Sequence, residues 1–185
     1  MLEVVIAAVV VVALVWWMIA TYNRLVRQRN KVQEAWAGVD VQLQRRSDLI
    51  PNLVATVKGY ATHEDELFTR VTQARAAMVA AKDAGAADVA DNMLTSALRS
   101  LFAVAEAYPE LKASTNFLRL QDQLGEIEEE LSFSRRYYNG AVEQFNTRVQ
   151  SFPTVLVAGL FGFQVAAFFR AQESATAAPT VGFDR

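Results

Sequence analysis

Apolar side chains fall along this chain in two patterns, an unbroken run and a series of stripes at helical spacing. The run is VVIAAVVVVALVWWMIA, from Val4 to Ala20. As a helix its about 17 residues span roughly 26 Å, close to the thickness of a bilayer's hydrocarbon core, and Leu2 and Thr21 lengthen it. Beyond the run, Leu25, Val32, Trp36, Val39, Leu43, Ile50, Leu53, Val57 and Ala61 step by three, four or seven. That spacing puts them on one face of a helix, interrupted only at Gln28 and Arg46. The expectation is one long helix, anchored in a membrane at one end and covered along its length by the rest of the chain.

Punctuation divides the remainder into three further helices. Pro51 removes an amide and should bend the first helix near Ser47 to Ile50, but the stripe continues past it, so a kink is expected rather than an end. Gly59 and Thr62 mark the first turn, with Thr62 placed to cap a second helix and Glu64 and Glu66 favouring its positive end. That second helix carries Leu67, Val71, Ala74, Met78 and Ala81 and should break at Gly85. A third, about Ala87 to Tyr108, carries Val89, Met93, Ala97, Leu101 and Ala105 with Leu94 and Leu98 alongside, and Pro109 should stop it. Ser114 opens a fourth. Its stripe of Phe117, Leu120, Leu124, Ile127, Leu131, Ser134, Tyr138, Ala141, Phe145, Val149 and Phe152 is the strongest pattern in the chain, and Pro153 closes it.

Four helices joined by short turns must alternate in direction, so the expected fold is all-α: an N-terminal transmembrane helix continuing into an antiparallel four-helix bundle. The cytoplasmic part of the first helix is about 40 residues, roughly 60 Å, against about 20 residues and roughly 30 Å for the second and third. The long first and fourth helices should therefore pair as a stalk near the membrane. A repeat bears on that pairing: Tyr22-Asn23-x-x-Val26-x-Gln28-x-Asn30 recurs as Tyr138-Asn139-x-x-Val142-x-Gln144-x-Asn146. Coincidence between two helical stretches is one explanation. The other is that amides of Asn23, Asn30, Asn139 and Asn146 fix the register of the stalk, as polar residues in a coiled-coil seam can.

After Pro153, TVLVAGLFGFQVAAFF is apolar but broken by Gly159, Gly162 and Gln164, with little room for a second span. An interfacial or subunit-contact segment is expected, made by Leu156, Leu160, Phe161, Phe163, Phe168 and Phe169. The expected organisation is thus an anchor over residues 1–21, a bundle over 22–152, the apolar segment over 153–170 and a flexible polar tail over 171–185.

Charge orients the anchor. Arg24, Arg27, Arg29 and Lys31 follow the run, whereas the other end has only the amino terminus and Glu3. The positive-inside rule puts the N-terminus outside and the domain in the cytoplasm of a single-pass inner-membrane protein. Val4 and Leu14 would lie in the hydrocarbon, Trp16 and Trp17 at the headgroups, and Arg24 and Arg27 on the cytoplasmic side. A cleaved signal peptide would instead want positive charge before the run and small residues at a cleavage site, and neither is present.

Composition narrows the chemistry. With 185 residues, 52% hydrophobic, 8 Gly and 4 Pro, there is room for one anchor and one domain. A net charge of -2 without a long basic block argues against nucleic acid as a partner, and zero Cys excludes disulfides and thiolate metal sites. His63 is the sole histidine. It suits a cap or a surface better than a metal site. Glu126, Glu128, Glu129 and Glu130 spread around the fourth helix and read as a solvated face. Arg45, Arg46 and Asp48 flank the proline bend either as a local ion-pair network or as a docking surface. No phosphate-binding loop, nucleophile elbow or Ser/His/Asp set is present, so no catalytic residue, cofactor or metal is expected.

The segments YNxLVxxRNxVxxAW, DVQLxRRxDLIPNLVxTVKGYAxHE and RRYYNxAVxxFNTxVQSFP resemble the bacterial LemA family, from Tyr22 to about Phe169. More distantly the chain resembles a magnetosome-membrane relative of that family. The resemblance implies a membrane anchor, a cytosolic antiparallel helical domain and no established enzymatic activity. The expected function is a non-enzymatic scaffold that binds membrane lipids and self-associates as a homo-oligomer, organising or remodelling the membrane. The alternative is an adaptor presenting its bundle to another membrane protein, such as a protease or sensor.

Overall fold

The computed structural model describes residues 1–169; the expectations for Arg170 and for the tail 171–185 lie outside the described residues. Every regular element among them is helical: α1 (Leu2–Lys58), α2 (Asp65–Ala80), α3 (Ala84–Ala105), the short α4 (Pro109–Lys112), α5 (Thr115–Gln150) and α6 (Thr154–Leu160). The chain forms an all-α fold that divides into two compact units, each drawing on part of α1 and part of α5.

The first unit comprises residues 1–42 and 130–168. Apolar residues of α1 (Leu25, Val32, Ala35, Val39) and of α5 (Leu131, Tyr138, Ala141, Val142, Phe145, Val149) are buried in it, together with Val157 and Ala158 of α6. The rings of Trp36 and Tyr138 meet edge to face with centroids 5.6 Å apart, which joins the two long helices here. Phe152, the last position of the predicted stripe, is 81% exposed. α5 has already ended at Gln150, so the helical period that placed Phe152 on the core face no longer applies to it.

The second unit comprises the rest of α1, then α2, α3, α4 and α5 as far as Glu129. α1 runs through Pro51, and Ile50, Leu53 and Val57 are buried on both sides of it, as the uninterrupted stripe requires. α2 packs on α3. The buried face of α3 is Ala87, Ala90, Leu94, Ala97, Leu98, Leu101 and Ala105, whereas Val89 and Met93 are exposed. Small side chains on that face allow close helix approach, and this outweighs the larger apolar residues that the sequence pattern favoured.

Local signals differ from expectation at three turns. Glu64, not Thr62, precedes α2, and it makes no side-chain cap. Gly85 lies inside the first turn of α3, and the preceding Asp83 is its cap: extended at φ −140°, ψ 166°, it accepts from the Ala86 amide at 2.9 Å. Pro109 begins α4 as well as following α3, because its missing N–H would lack a helical partner in a first turn anyway.

Candidate functional site

Three groups of residues stand out, beginning with the apolar N-terminal part of α1. Among the described residues α1 is one helix long and apolar enough to cross a membrane, and none of its apolar window is buried in protein. Val4, Leu14 and Trp16 are exposed, Trp17 is half-buried, and Arg24 and Arg27 project into solvent. A face of Val, Leu, Ile and Trp this extensive needs a nonaqueous surface.

The second group lies where the first unit receives the chain after α6. Gly162, at φ +70°, takes the left-handed turn that a side chain would strain, and residues 163–168 then follow as a strap without regular secondary structure. Asn146 reads the backbone of this strap on both edges: its Nδ2 donates to the Ala166 carbonyl at 2.9 Å and its Oδ1 accepts from the Ala166 amide at 2.8 Å. The Tyr138 hydroxyl donates to the Ala167 carbonyl at 2.8 Å. A strand pairs its backbone with a neighbour; this strap has α5 side chains instead, which meets the same requirement that polar backbone be satisfied. Phe161 and Phe163 lie 4.8 and 5.6 Å from the Tyr22 ring, with the Arg29 guanidinium 5.4 Å from the Phe163 centroid.

These contacts place the sequence-predicted residues. Asn146 engages the strap, Asn139 is half-buried with a partner of its own, and Asn23 and Asn30 are exposed. Of the apolar segment, Phe169 is buried at 2% exposure and Phe163 is half-buried, while Leu156, Leu160 and, despite its contact with Tyr22, Phe161 are exposed. Phe168 is exposed as well.

The third group sits at two consecutive α1 residues in the second unit. Arg46 is buried, yet it is not part of a local network with Asp48, which accepts instead from Gln44 Nε2 at 2.9 Å. Arg46 pairs through Nη1 with the buried Asp91 of α3 and through Nη2 with Glu128 of α5, and Nη2 also donates to Thr95 Oγ1 at 3.0 Å. Glu128, its side chain still 41% exposed on the acidic face, also turns one oxygen to Arg46, because a buried guanidinium needs carboxylate compensation. Next to it, the Ser47 carbonyl faces the gap left by the missing Pro51 amide, four residues on. Arg75 Nε of α2 fills that gap, donating at 3.0 Å. Residues 46 and 47 therefore tie α1 to α2, α3 and α5. Arg75 was not singled out in the sequence, where the available clue was Pro51 and the carbonyl it orphans.

Among the described residues no three His, Cys, Asp or Glu side chains converge as metal ligands, and His63 is exposed.

The description "LemA family" belongs to the family whose sequence pattern matches residues 35–183. Magnetosome protein MamQ 2 of Paramagnetospirillum magneticum is 26% identical, over 90% of this chain and 71% of its own length. Protein LemA of Metamycoplasma hominis is 27% identical, over 82% of this chain and 69% of its own. Magnetosome protein MamQ of Magnetospirillum gryphiswaldense is 23% identical, over 85% and 68%.

Proposed function

The chain belongs to the LemA family, and from that premise we propose that it is a membrane-anchored scaffold that self-associates at the bilayer and organises or remodels it. It is a membrane-associated protein similar to LemA and MamQ, and its family and lack of catalytic motifs are consistent with a non-enzymatic role. The observation behind self-association is the apolar surface left over once the strap is seated. Phe152, Leu156 and Leu160 remain 81%, 63% and 71% exposed although the neighbouring backbone is held in place. Burial would stabilise each by about 1.5–3 kcal/mol, so a lipid surface or a second copy is favoured to cover them.

The N-terminus faces outside, the cationic residues Arg24, Arg27, Arg29 and Lys31 hold the helices on the cytoplasmic side, and α1 pairs with α5 in an antiparallel stalk whose register the four asparagines set. The helices of the second unit make an antiparallel four-helix bundle. Kinship with relatives named for the magnetosome supports the organising role.

One observation favours the adaptor alternative. A groove of about 590 Å³ in the second unit is floored by Leu98, Phe102 and Leu124, and Gly125 opens onto empty space there, as a surface that receives a partner's side chain would. Mass measurement of the full chain purified in mild detergent separates the two. A defined oligomer is expected; a strict monomer at all concentrations would sink the scaffold and leave the adaptor.

A further inference from the structure

At the membrane end of the first unit a small cavity of about 130 Å³ is lined by Trp17, Thr21, Arg24, Arg148, Thr154 and their neighbours. Its two arginines, the exposed Arg24 and the half-buried Arg148, come from positions 124 residues apart, one just past the apolar run of α1 and one in the last turn of α5. Neither arginine has a carboxylate within ion-pair distance among the described residues. Two like charges sharing one partly enclosed cavity repel each other, and an anion between them converts that repulsion into attraction. Thr21 and Thr154 add hydroxyl donors, and Trp17 brings a ring of the kind that settles at headgroup depth.

We propose that this cavity binds the phosphate of an anionic phospholipid headgroup, taking it between Arg24 and Arg148. The proposal rests on the membrane association described above and specifies its ligand chemistry. Position decides the source. Arg24 follows Ala20 by four residues, about 6 Å along a helix, so the cavity opens where the phosphates of the adjoining leaflet lie. Lining chemistry decides the class: two arginines and two threonines suit the oxygens of a phosphodiester. Guanidinium forks match phosphate oxygens two by two, which a diffuse basic surface does not. A zwitterionic choline headgroup would bring a cation against the same arginines, so a headgroup with net negative charge is preferred.

The test uses the full chain in nanodiscs of phosphatidylcholine containing a minor share of phosphatidylglycerol, with the lipid retained on detergent transfer counted by native mass spectrometry. The intact protein should retain phosphatidylglycerol in preference to phosphatidylcholine. Arg148→Gln should lower that retention about fivefold, as expected for one arginine at an anionic surface. Arg27→Gln, exposed in the same zone but outside the cavity, should lower it far less. Arg148→Lys keeps the charge but loses the fork, so it should recover only part of the binding while the helical circular dichroism stays unchanged. Inorganic phosphate added to the same nanodiscs distinguishes sources: an unchanged lipid signal assigns the headgroup, and displacement overturns the lipid in favour of free phosphate. Equal losses in Arg148→Gln and Arg27→Gln, or no preference between the lipids, overturn the site while leaving membrane association intact. A chain that alkali extracts from membranes overturns both.

Discussion

The two units meet the same difficulty, polar groups inside a helical protein, in opposite ways. In the second unit the polar groups are charges within the core: Arg46 and Asp91 are 2% and 3% exposed, and each depends on the other to compensate it. In the first unit the neutral amide of Asn146 and the phenol of Tyr138, part-buried, are spent on the backbone of the strap. The difference predicts different behaviour. A buried ion pair is costly to break one partner at a time yet contributes little net stability as a pair, because both ions were taken from water. Hydrogen bonds between neutral groups near water lose only a modest net amount when removed, since solvent replaces the missing partner.

The largest effect should come from leaving Arg46 without its buried carboxylate. Asp91→Ala is expected to destabilise the protein by about 3–5 kcal/mol in denaturant unfolding, whereas Arg46→Met with Asp91→Leu and Glu128→Gln should restore most of that or exceed it. If the triple substitution is as damaging as the single one, the charges contribute net stability and the comparison between the units fails.

Next comes the carbonyl that Pro51 orphans. Arg75→Ala should cost about 1–3 kcal/mol by stranding the Ser47 oxygen. Pro51→Ala returns an amide to the helix, so in that background Arg75→Ala should cost clearly less, and a double-mutant cycle of thermal unfolding reads the coupling. Additive losses would mean that Arg75 does not substitute for the missing amide.

The smallest effect belongs to the first unit. Asn146→Ala removes both bonds to Ala166 and should cost about 1–2 kcal/mol. Hydrogen exchange at the Ala166 amide gives the sharper reading: protection should fall there while the amides of α2 and α3 keep theirs. Loss of protection throughout the second unit would show that the strap supports more than its own neighbourhood.

The helices themselves were legible in the sequence. The stripes of α1 and α5 were read from residues three and four apart, and of the α1 positions named in advance all but Trp36 are buried. The apolar N-terminal helix was legible for the same reason, as an unbroken apolar run. The short turns were less so: Asp83 as a cap competes with the nearby Gly85 as a breaker, and the choice depends on the backbone angles that the packed helices impose.

Periodicity is a property of close neighbours in the chain, and it determined by itself that this protein is a set of amphipathic helices behind an apolar run long enough to cross a membrane. It could mark Arg46 as a polar interruption in a stripe, but not its partners at residues 91 and 128, nor Arg75 at the Ser47 carbonyl. Nor could it say that Asn146 would hold the backbone of residue 166. Those choices rest with the tertiary structure, because a buried polar group must be matched by whatever the packing of distant segments brings within hydrogen-bonding distance, and that distance in space has no fixed interval along the chain.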